Sequence, residues 1–305
     1  MAPEIVGIGM STVDHLYRLE NVSELPRGGV LEYAIDGGGP AATAMAAAAT
    51  LGAPCGMMAC VGDDERGRFA LDTLREAGVD VSRSVVREGG STPMVLVLAD
   101  AASGERHFLA LRTDPPRLET DEIDWDYAAG ARVVLVDNWV KDADAVLERL
   151  SALDAQTLVD SAFHHGFYPD WLAAVDVFIA GGDVPAWRDD PDGALEEAAK
   201  IVERGPHTAI LTLGGAGCVG VGPEGEFRLP AFEVEVVDTC GTGDVFHGSY
   251  AYALNGGWAP RECALFASAT ASLSAMCLGG RAGLPTAERV AAFLAERGEH
   301  GPWED

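Results

Sequence analysis

Apolar runs alternate with helical patterns along most of the chain. The apolar runs that predict buried strands are residues 4–9, 56–61, 132–136, 157–159, 175–179 and 208–212. The patterns that predict helices are residues 40–51, 66–77, 143–153, 193–204 and a stretch from about 241 to 254, after a strand-like run at 232–237. Unbroken apolar strands that alternate with helices are typical of a parallel sheet covered on both faces. The pattern therefore predicts an α/β fold.

Two stretches depart from this rhythm, residues 13–36 and 92–112. Both carry alternating, more polar strand patterns, and a turn at 100–104 separates two strand candidates in the second stretch. They predict a small antiparallel sheet that projects from the main body as a lid, and such a flap covers a pocket or forms a dimer contact. Because no repeat or long linker divides the chain, residues 1–305 are predicted to form one domain with this discontinuous lid.

The net charge and the cysteine pattern exclude several classes of partner and of metal site. The chain has 48 acidic and 21 basic residues, a net charge of −27, which argues against nucleic acids and anionic membranes as partners. Six scattered cysteines without a Cys-x-x-Cys pair predict reduced thiols and no zinc site. The amino terminus has no basic segment before an apolar one, and the alanine-rich stretch at 41–49 is too short to span a bilayer. We therefore expect a cytoplasmic protein.

One stretch carries the strongest chemical signal, the run Asp-Thr-Cys-Gly-Thr-Gly-Asp at 238–244. Glycines at the start of a helix allow backbone N–H groups to converge on an anion. Phosphoryl transfer requires such preorganised donors, and Asp244 in the first helical turn can accept a proton from an attacking hydroxyl. The alternative is an ordinary strand-to-helix turn with an aspartate near the helix N-terminus, and this stretch alone does not decide between them.

Two further glycine-rich runs adjoin predicted elements, one before a helix and one after a strand. The run Asp-Gly-Gly-Gly-Pro-Ala-Ala-Thr at 36–43 leads into the alanine-rich helix, and its glycines allow a ligand to approach the backbone. The run Leu-Thr-Leu-Gly-Gly-Ala-Gly at 211–217 follows a strand. By itself, each run is better explained as a tight turn.

Taken together, these runs resemble a known family. Residues 37–64, with the run Cys-Val-Gly-Asp-Asp-Glu-Arg-Gly at 60–67, resemble the first signature of the ribokinase-like (PfkB) carbohydrate kinases. Residues 238–244 resemble their second signature, usually Asp-Thr-x-Gly-Ala-Gly-Asp. The resemblance extends from Gly7, with Asp14 at the usual spacing, to the run Gly-Arg-Ala-Gly-Leu-Pro at 280–285. Two signatures in the right order are more specific than either one.

The resemblance implies a doubly wound α/β domain, with a mostly parallel sheet, helices on both faces and a β-sheet lid. It also implies ATP-dependent phosphorylation of a sugar hydroxyl with Mg²⁺, Asp244 being the base. The anion hole would be Gly241, Thr242 and Gly243, and the sugar would be held by Asp14, Gly38, Gly39 and Thr43. The nucleotide side would comprise Thr212, Gly214, Gly215, Gly217 and Asp183, and a K⁺ ion would lie near Asp238, Cys240 and Gly283.

The chain departs from the family pattern at three places. Thr43 stands where the family usually has asparagine, so one sugar contact is shorter or absent. Thr242 replaces the usual alanine and adds a hydroxyl near the transferred phosphate. The Asn-x-x-Glu motif of the magnesium network is reduced to Ala-Gly-Gly-Asp at 180–183, which keeps a carboxylate but loses the asparagine. None of these changes removes the base or the anion hole.

The motif wording looks closer to sulfofructose kinases than to ribokinases. That resemblance implies phosphorylation of the 1-hydroxyl of 6-deoxy-6-sulfofructose or a related ketohexose, whose anionic end requires a cation. The candidate cations are Arg27, Arg112 and Lys141, although each by itself is better explained as a solvated side chain. Asn138 follows a strand end, which is a favourable place for substrate recognition.

Several other functions compete with the kinase as explanations of these motifs. The run Gly-Ile-Gly at 7–9 suggests a dehydrogenase, but position 12 is threonine and the dinucleotide fingerprint fails; a P-loop motif is also missing from the sequence. A metal hydrolase is weak, because His164 and His165 adjoin and His247 fits a packed helix position. A non-catalytic sugar-binding regulator and a nucleoside kinase stay open, the latter with Tyr17, Tyr33 and Phe108 as candidates for stacking on a base.

Overall fold

The structure is a computed structural model, and it describes residues 2–22, 29–102, 106–111, 114–160, 168–181, 187 and 189–304. Arg27, Arg112, Asp183, His164 and His165, all considered above, lie outside the described residues.

A nine-stranded sheet forms the centre of the molecule. Its strands are β1 (Ile5–Gly9), β4 (Cys55–Gly62), β5 (Val85–Arg87), β8 (Val133–Asp137), β9 (Gln156–Asp160), β10 (Val177–Gly181), β11 (Thr208–Thr212), β12 (Cys218–Gly222) and β13 (Gly225–Leu229). The strand order is β13-β12-β11-β10-β9-β8-β1-β4-β5. All pairs are parallel except β11/β12 and β12/β13, which are antiparallel. The prediction of a mostly parallel sheet is confirmed.

Helices cover both faces of this sheet. They are α1 (Pro40–Thr50), α2 (Glu65–Glu76), α3 (Trp125–Ala129), α4 (Ala143–Leu150), α5 (Pro191–Val202), α6 (Thr242–Asn255), α7 (Pro260–Ser274) and α8 (Ala287–Ala295). One apolar layer contains side chains of α1, α2, α6, α7 and α8, and the other contains those of α3, α4 and α5. Helices α1 and α6 pack very closely, since a Cβ on Gly248 would lie 2.0 Å from the Ala44 carbonyl oxygen. The small alanine side chains of α1 thus allow α6 to pack closely against it.

The lid is a separate four-stranded sheet in the order β3-β2-β6-β7. Its strands are β2 (Thr12–Leu19), β3 (Val30–Gly38), β6 (Met94–Asp100) and β7 (Arg106–Ala110). The outer pairs are antiparallel, as predicted, but the central pair β2/β6 is parallel. The reason is that β2 and β6 follow β1 and β5, which run parallel in the main sheet, so the chain enters the lid twice in the same direction.

Some local predictions were wrong. The strand-like run at 232–237 belongs to neither sheet; its end is held where the N–H groups of Val237 and Asp238 donate to the Ala275 carbonyl at 2.9 and 3.1 Å. Phe232 and Val234 pack on the core while Glu233 and Glu235 are exposed, which explains the alternation without strand pairing. The sequence reasoning also missed the hairpin β12–β13 and the helices α7 and α8.

The six cysteines are free thiols in the structure, and all but Cys277 are buried. No helix among the described residues has both the length and the apolar character needed to cross a bilayer.

Candidate active site

The start of α6 forms one wall of the candidate site. Gly241 precedes the helix with φ +71°, a left-handed conformation that favours glycine, and a Cβ there would lie 2.7 Å from the Gly280 Cα. Thr242 Oγ1 donates to the Thr239 carbonyl at 3.0 Å and closes the turn. The first N–H groups of a helix have no intrahelical acceptor, so this turn presents donors and a positive dipole end to an anion.

Asp244 lies in the first turn of α6 and lines a cleft. Burial raises its pKa well above the ordinary aspartate value, and the nearby carboxylates of Asp160, Asp14 and Asp137 raise it further, while Arg281 opposes them. A raised pKa makes a carboxylate a stronger proton acceptor, which suits it to take up a proton from a hydroxyl. The chemistry of a general base is therefore available at this position.

The cleft has a volume of about 650 Å³, which is in the range of small-molecule sites. It contains residues from the ends of β8, β9, β10 and β11 and from α6. The residues proposed from the sequence that line it are Asn138, Thr212, Gly214, Gly215, Gly217, Thr242, Gly243 and Asp244. The structure thus brings the predicted nucleotide loop and the predicted anion hole to one cavity.

The nucleotide loop is open toward this cavity. β11 ends at Thr212, a short 3₁₀ turn covers Gly214–Ala216, and β12 begins at Cys218. A Cβ added at Gly214 or Gly215 would meet no atom within 4 Å, so a ligand can approach the backbone closely there. Backbone amides in such a turn are suited to phosphate oxygens.

The predicted sugar-binding residues surround a second turn, next to the cleft. A Cβ on Gly38 would lie 2.2 Å from the Asp14 carboxylate, and Thr12 Oγ1 donates to Asp14 Oδ1 at 2.8 Å. Burial raises the pKa of Asp14, and the Thr12 hydrogen bond lowers it. Gly39 opens α1 with its backbone close to the Met10 carbonyl. The Asp14 carboxylate is thereby held against the Gly38 turn.

Asp137, at the end of β8, was not assigned a role from the sequence. Its carboxylate accepts hydrogen bonds from the N–H groups of Met10 at 2.8 Å, Trp139 at 2.9 Å and Ala41 at 3.2 Å. Burial raises its pKa to about 6, against the lowering effect of these three donors. Asp137 therefore connects the end of β1, the start of α1 and the end of β8 beneath the site. A strand-end aspartate after an apolar run was the available signal.

Arg281 is the second residue that the sequence reasoning missed, although it lies in the run quoted for the family resemblance. Its Nε donates to Thr43 Oγ1 at 3.2 Å, Nη1 to Thr73 Oγ1 at 3.3 Å and Nη2 to the Gly38 carbonyl at 2.8 Å. Burial lowers its pKa to about 10, so it is a cation at neutral pH. The Thr43 hydroxyl, proposed for the sugar, is thus also a partner of Arg281.

The residues proposed for a K⁺ site lie on two adjoining loops. Asp238 Oδ1 accepts from the Cys240 N–H at 2.9 Å, and Oδ2 accepts from the Gly279 N–H at 3.0 Å. These bonds connect the segment before α6 with the loop at 279–283. Gly283 lies beside Cys277 and the Ser274 carbonyl. In the structure both oxygens of the Asp238 carboxylate accept hydrogen bonds from backbone N–H groups of these two loops. The K⁺ site therefore stays a prediction.

Lys141 does not belong to the site. Its ammonium lies 2.5 Å from Glu119 Oε1 and its side chain is 61% exposed, so its role as a cation for the substrate was predicted wrongly. A different cation lines the cleft: Arg106, at the start of the lid strand β7. Its Nε is buried and has no hydrogen-bond partner among the described residues.

His247 packs within the protein, as its helix position predicted. Its Nδ1 lies 2.7 Å from the Gly243 carbonyl and its Nε2 lies 3.2 Å from the Ile179 carbonyl. Within the described part of the chain, no group of three or more His, Cys, Asp or Glu side chains is arranged to hold a metal ion.

Comparison with known proteins identifies the family. A family described as "pfkB family carbohydrate kinase" matches residues 9–287. The chain belongs to this family. It is 33% identical over 270 residues to an ATP-dependent ribose-1-phosphate kinase of Halopiger xanaduensis, covering 86% of this chain and 87% of that one. It is 26% identical over 291 residues to an aminoimidazole riboside kinase of Salmonella typhimurium, covering 85% and 88%. A ribokinase structure from Thermotoga maritima superposes with a TM-score of 0.81 at 24% identity, covering 96% of this chain and 99% of that one.

Membership of the PfkB family decides among the functions compared above. The protein is an ATP-dependent phosphotransferase that acts on a hydroxyl group, a sugar or nucleoside kinase with the ribokinase-like fold. The dehydrogenase, P-loop and metal-hydrolase interpretations are no longer needed. The suggested closeness to sulfofructose kinases stays a prediction.

Proposed function

We propose that this PfkB-family protein transfers the γ-phosphoryl group of ATP to a primary hydroxyl of a small sugar, with Asp244 as the base. The observation that supports this most strongly is the position of Asp244: it lies in the first turn of α6, beside the Gly241–Gly243 turn and on the wall of the cleft that the nucleotide loop also lines. The sugar would lie between that carboxylate and the turn at Asp14 and Gly38.

The step that follows from this arrangement is an in-line displacement. The substrate oxygen forms a bond to the γ-phosphorus, the bond from that phosphorus to the bridging oxygen breaks, and ADP leaves. The hydroxyl proton passes to Asp244. Negative charge spreads over the three equatorial oxygens, and the N–H groups at the start of α6 stabilise it.

Magnesium ions in such sites are held by nucleotide phosphates and one or two carboxylates. Asp160 fits this requirement, because it lines the cleft and its Oδ2 is buried without a hydrogen-bond partner among the described residues. A bound Mg²⁺ would neutralise phosphate charge. Asp183, proposed from the sequence, lies outside the described residues and keeps its proposed role.

We also propose that the acceptor sugar carries an oxyanion at its far end, held by Arg106. This guanidinium lines the cleft together with Asn138 and Trp139, and its buried Nε has no partner among the described residues. A buried donor without a partner is costly, so a ligand group is the natural acceptor. The relative from Halopiger is named for a sugar phosphate. Sugar phosphates and 6-deoxy-6-sulfofructose share this chemistry.

The test of the function is ADP release from ATP and magnesium, with and without potassium, across a panel of acceptors. The panel contains ribose, ribose-1-phosphate, fructose, fructose phosphates, sulfofructose and adenosine. Saturable turnover with a sugar supports the proposal, and the preferred member identifies a neutral sugar, a sugar phosphate or a sulfonate. Turnover restricted to adenosine would replace it with a nucleoside kinase.

In the same assay, Arg106→Met is expected to raise KM for an anionic sugar by about 10- to 100-fold, since a hydrogen bond to a charged group contributes about 1.5–3 kcal/mol. KM for ATP and turnover of the neutral analogue should stay near wild type. Arg106→Lys, which keeps the charge, should lose less. A selective rise in KM for ATP would instead assign this arginine to the nucleotide and remove the argument for an anionic sugar.

A nucleoside kinase is the second candidate. Phe108 lies on the same lid face as Leu16, since both are paired with Val97, and it is 56% exposed. An exposed aromatic ring on this face supports a role in stacking on a base. Tyr17 and Tyr33 lie on the opposite face, with their rings 4.7 Å apart, so their suggested role as base-stacking residues was wrong. The relative from Salmonella is named for a riboside.

The outer face of the lid supports a homodimer, which the sequence analysis also suggested. Ile35, Leu96 and Leu109 form one row on this face, and Ile35 and Leu109 are about half exposed. Tyr33 on the same face is also exposed. An exposed apolar sheet face of this kind favours association with a second copy of the chain, which would bury it.

Sedimentation velocity at micromolar concentration should therefore give a dimer, and Ile35→Asp should give a folded monomer, because a buried unpaired carboxylate opposes association. Val86→Asp, which places the same charge on an exposed apolar residue of the main sheet, is the matched control. A wild-type monomer, or a dimer that persists in Ile35→Asp, contradicts a lid interface.

A further inference from the structure

Arg281 connects its own loop to two segments that are far away in sequence, residues 38–43 and α2. Its guanidinium donates to the Gly38 carbonyl, to Thr43 of α1 and to Thr73 of α2. Guanidinium has five N–H donors in a fixed plane, so three bonds in three directions determine its position. Movement of the turn at Gly38 is thereby coupled to Arg281.

The loop that carries Arg281 is also attached to the start of α6. The Gly279 N–H donates to Asp238 Oδ2, and Gly280 lies so close to Gly241 that a Cβ on Gly241 would be 2.7 Å from the Gly280 Cα. The same short loop thus contacts the turn that would hold the transferred phosphate and, through Arg281, the turn that would hold the sugar.

Small residues make room for this side chain. A Cβ on Gly37 would lie 2.3 Å from Arg281 Nη1, and Thr43 is short enough to leave its hydroxyl as an acceptor for Arg281 Nε. The asparagine expected at position 43 from the family resemblance would be longer.

The electrostatic surroundings give Arg281 a second role. Asp14, Asp36 and Asp244 each interact favourably with it. Asp36 is also held by the Gly37 N–H at 2.7 Å. These three carboxylates are half-buried, and so is the guanidinium they share, so its removal leaves them without this counter-ion.

We infer that Arg281 is a positioning residue that aligns the sugar-binding turn with the phosphoryl-transfer turn and acts as the shared counter-ion of the site's carboxylates. The inference rests on the proposed function for its kinetic consequences, but the contacts that carry it do not depend on which sugar is bound.

The two roles can be separated with Arg281→Lys and Arg281→Gln. When the cation is removed, the pKa of Asp244 rises further. The base then stays protonated up to a higher pH, and kcat falls at pH values at which the wild type is still active. Arg281→Gln should move the acidic limb of the kcat profile upward by about one pH unit. The titratable groups that interact with Asp244 and remain in place are Asp14, Asp137, Asp160 and Cys240, and His247 follows one turn later in α6.

Arg281→Lys keeps the charge and should leave that limb near the wild-type position. It cannot reproduce the three planar hydrogen bonds, so KM for the sugar should rise by about tenfold or more in both variants. KM for ATP should change little. Thr73→Val removes one of the three hydrogen bonds and no charge, so the acidic limb of its kcat profile should lie at the same pH as in the wild type.

A titration of carbon-13-labelled aspartate carboxyl groups makes the test independent of turnover. The signal missing from Asp244→Asn identifies Asp244, and its pKa should rise in Arg281→Gln but not in Arg281→Lys. An unchanged Asp244 titration together with an unchanged sugar KM would overturn the inference. Inactivity of wild-type protein on every acceptor would instead reject the proposed function, and the titration would still decide the role of Arg281.

Discussion

Replacement of Asp244 by asparagine is expected to lower turnover by about 10³-fold, since a positioned general base contributes about 10²–10⁴-fold. Asparagine keeps the size of the side chain but cannot take up the hydroxyl proton. Because the nucleotide loop at Gly214 and Gly215 lies on a different element, affinity for ATP should remain close to wild type. Steady-state kinetics and calorimetric titration with a nucleotide analogue measure the two quantities separately.

Asp192→Asn is the matched control for this variant. It makes the same chemical change on an exposed side chain of α5 that is paired with Arg228, so it should leave kcat unchanged. Near-normal turnover in Asp244→Asn, measured beside this control, would refute the role of base. Loss of nucleotide affinity in parallel would indicate that Asp244 acts on the phosphates and not on the hydroxyl.

The second large effect is expected at Gly241. An alanine there would adopt a left-handed conformation at a cost of about 1–2 kcal/mol, and its Cβ would lie 2.7 Å from the Gly280 Cα. The turn must shift, and the N–H groups at the start of α6 then no longer point at the transferred phosphate. We expect a lower unfolding temperature and a loss of about 10²-fold in kcat, the effect typical of one misplaced oxyanion donor.

Gly243→Ala is the informative comparison, two residues further along. A Cβ at Gly243 would meet no atom within 4 Å, and alanine is favoured over glycine in a helix by about 1 kcal/mol. Its unfolding temperature should therefore equal or exceed that of wild type. Thermal unfolding and kinetics of both variants test the explanation: if Gly241→Ala is as stable and active as wild type, the turn does not depend on the glycine.

The lid illustrates how far alternation along the chain carries a prediction. The polar, alternating stretches correctly predicted extra strands outside the main sheet. Alternation does not tell which face is inward, so Tyr17 and Tyr33 were proposed for the pocket although they lie on the outer face. The inward face became known only through the packing of Leu16 with Cys240 and Leu278.

The basic side chains near the site show the same limit of prediction from sequence. Lys141 was proposed as a cation for the anionic end of the substrate, yet its ammonium pairs with Glu119. Arg106 was passed over, although its place in the lid brings it to the cleft. Charge alone does not distinguish a solvated side chain from a ligand-binding one, because the difference depends on what lies across the cleft.

The sequence by itself determined the features that depend on neighbouring residues. Unbroken apolar runs specified the parallel strands, and the glycines at 241 and 243 before a helical pattern placed Asp244 in a first turn. The tertiary structure alone decided the network behind that turn: Arg281 donates to residues 208, 238 and 243 positions away, and Asp137 accepts from a residue 127 positions away. Such bonds form because separate loops meet at one edge of a parallel sheet, and no pattern within a single segment encodes which loops will meet.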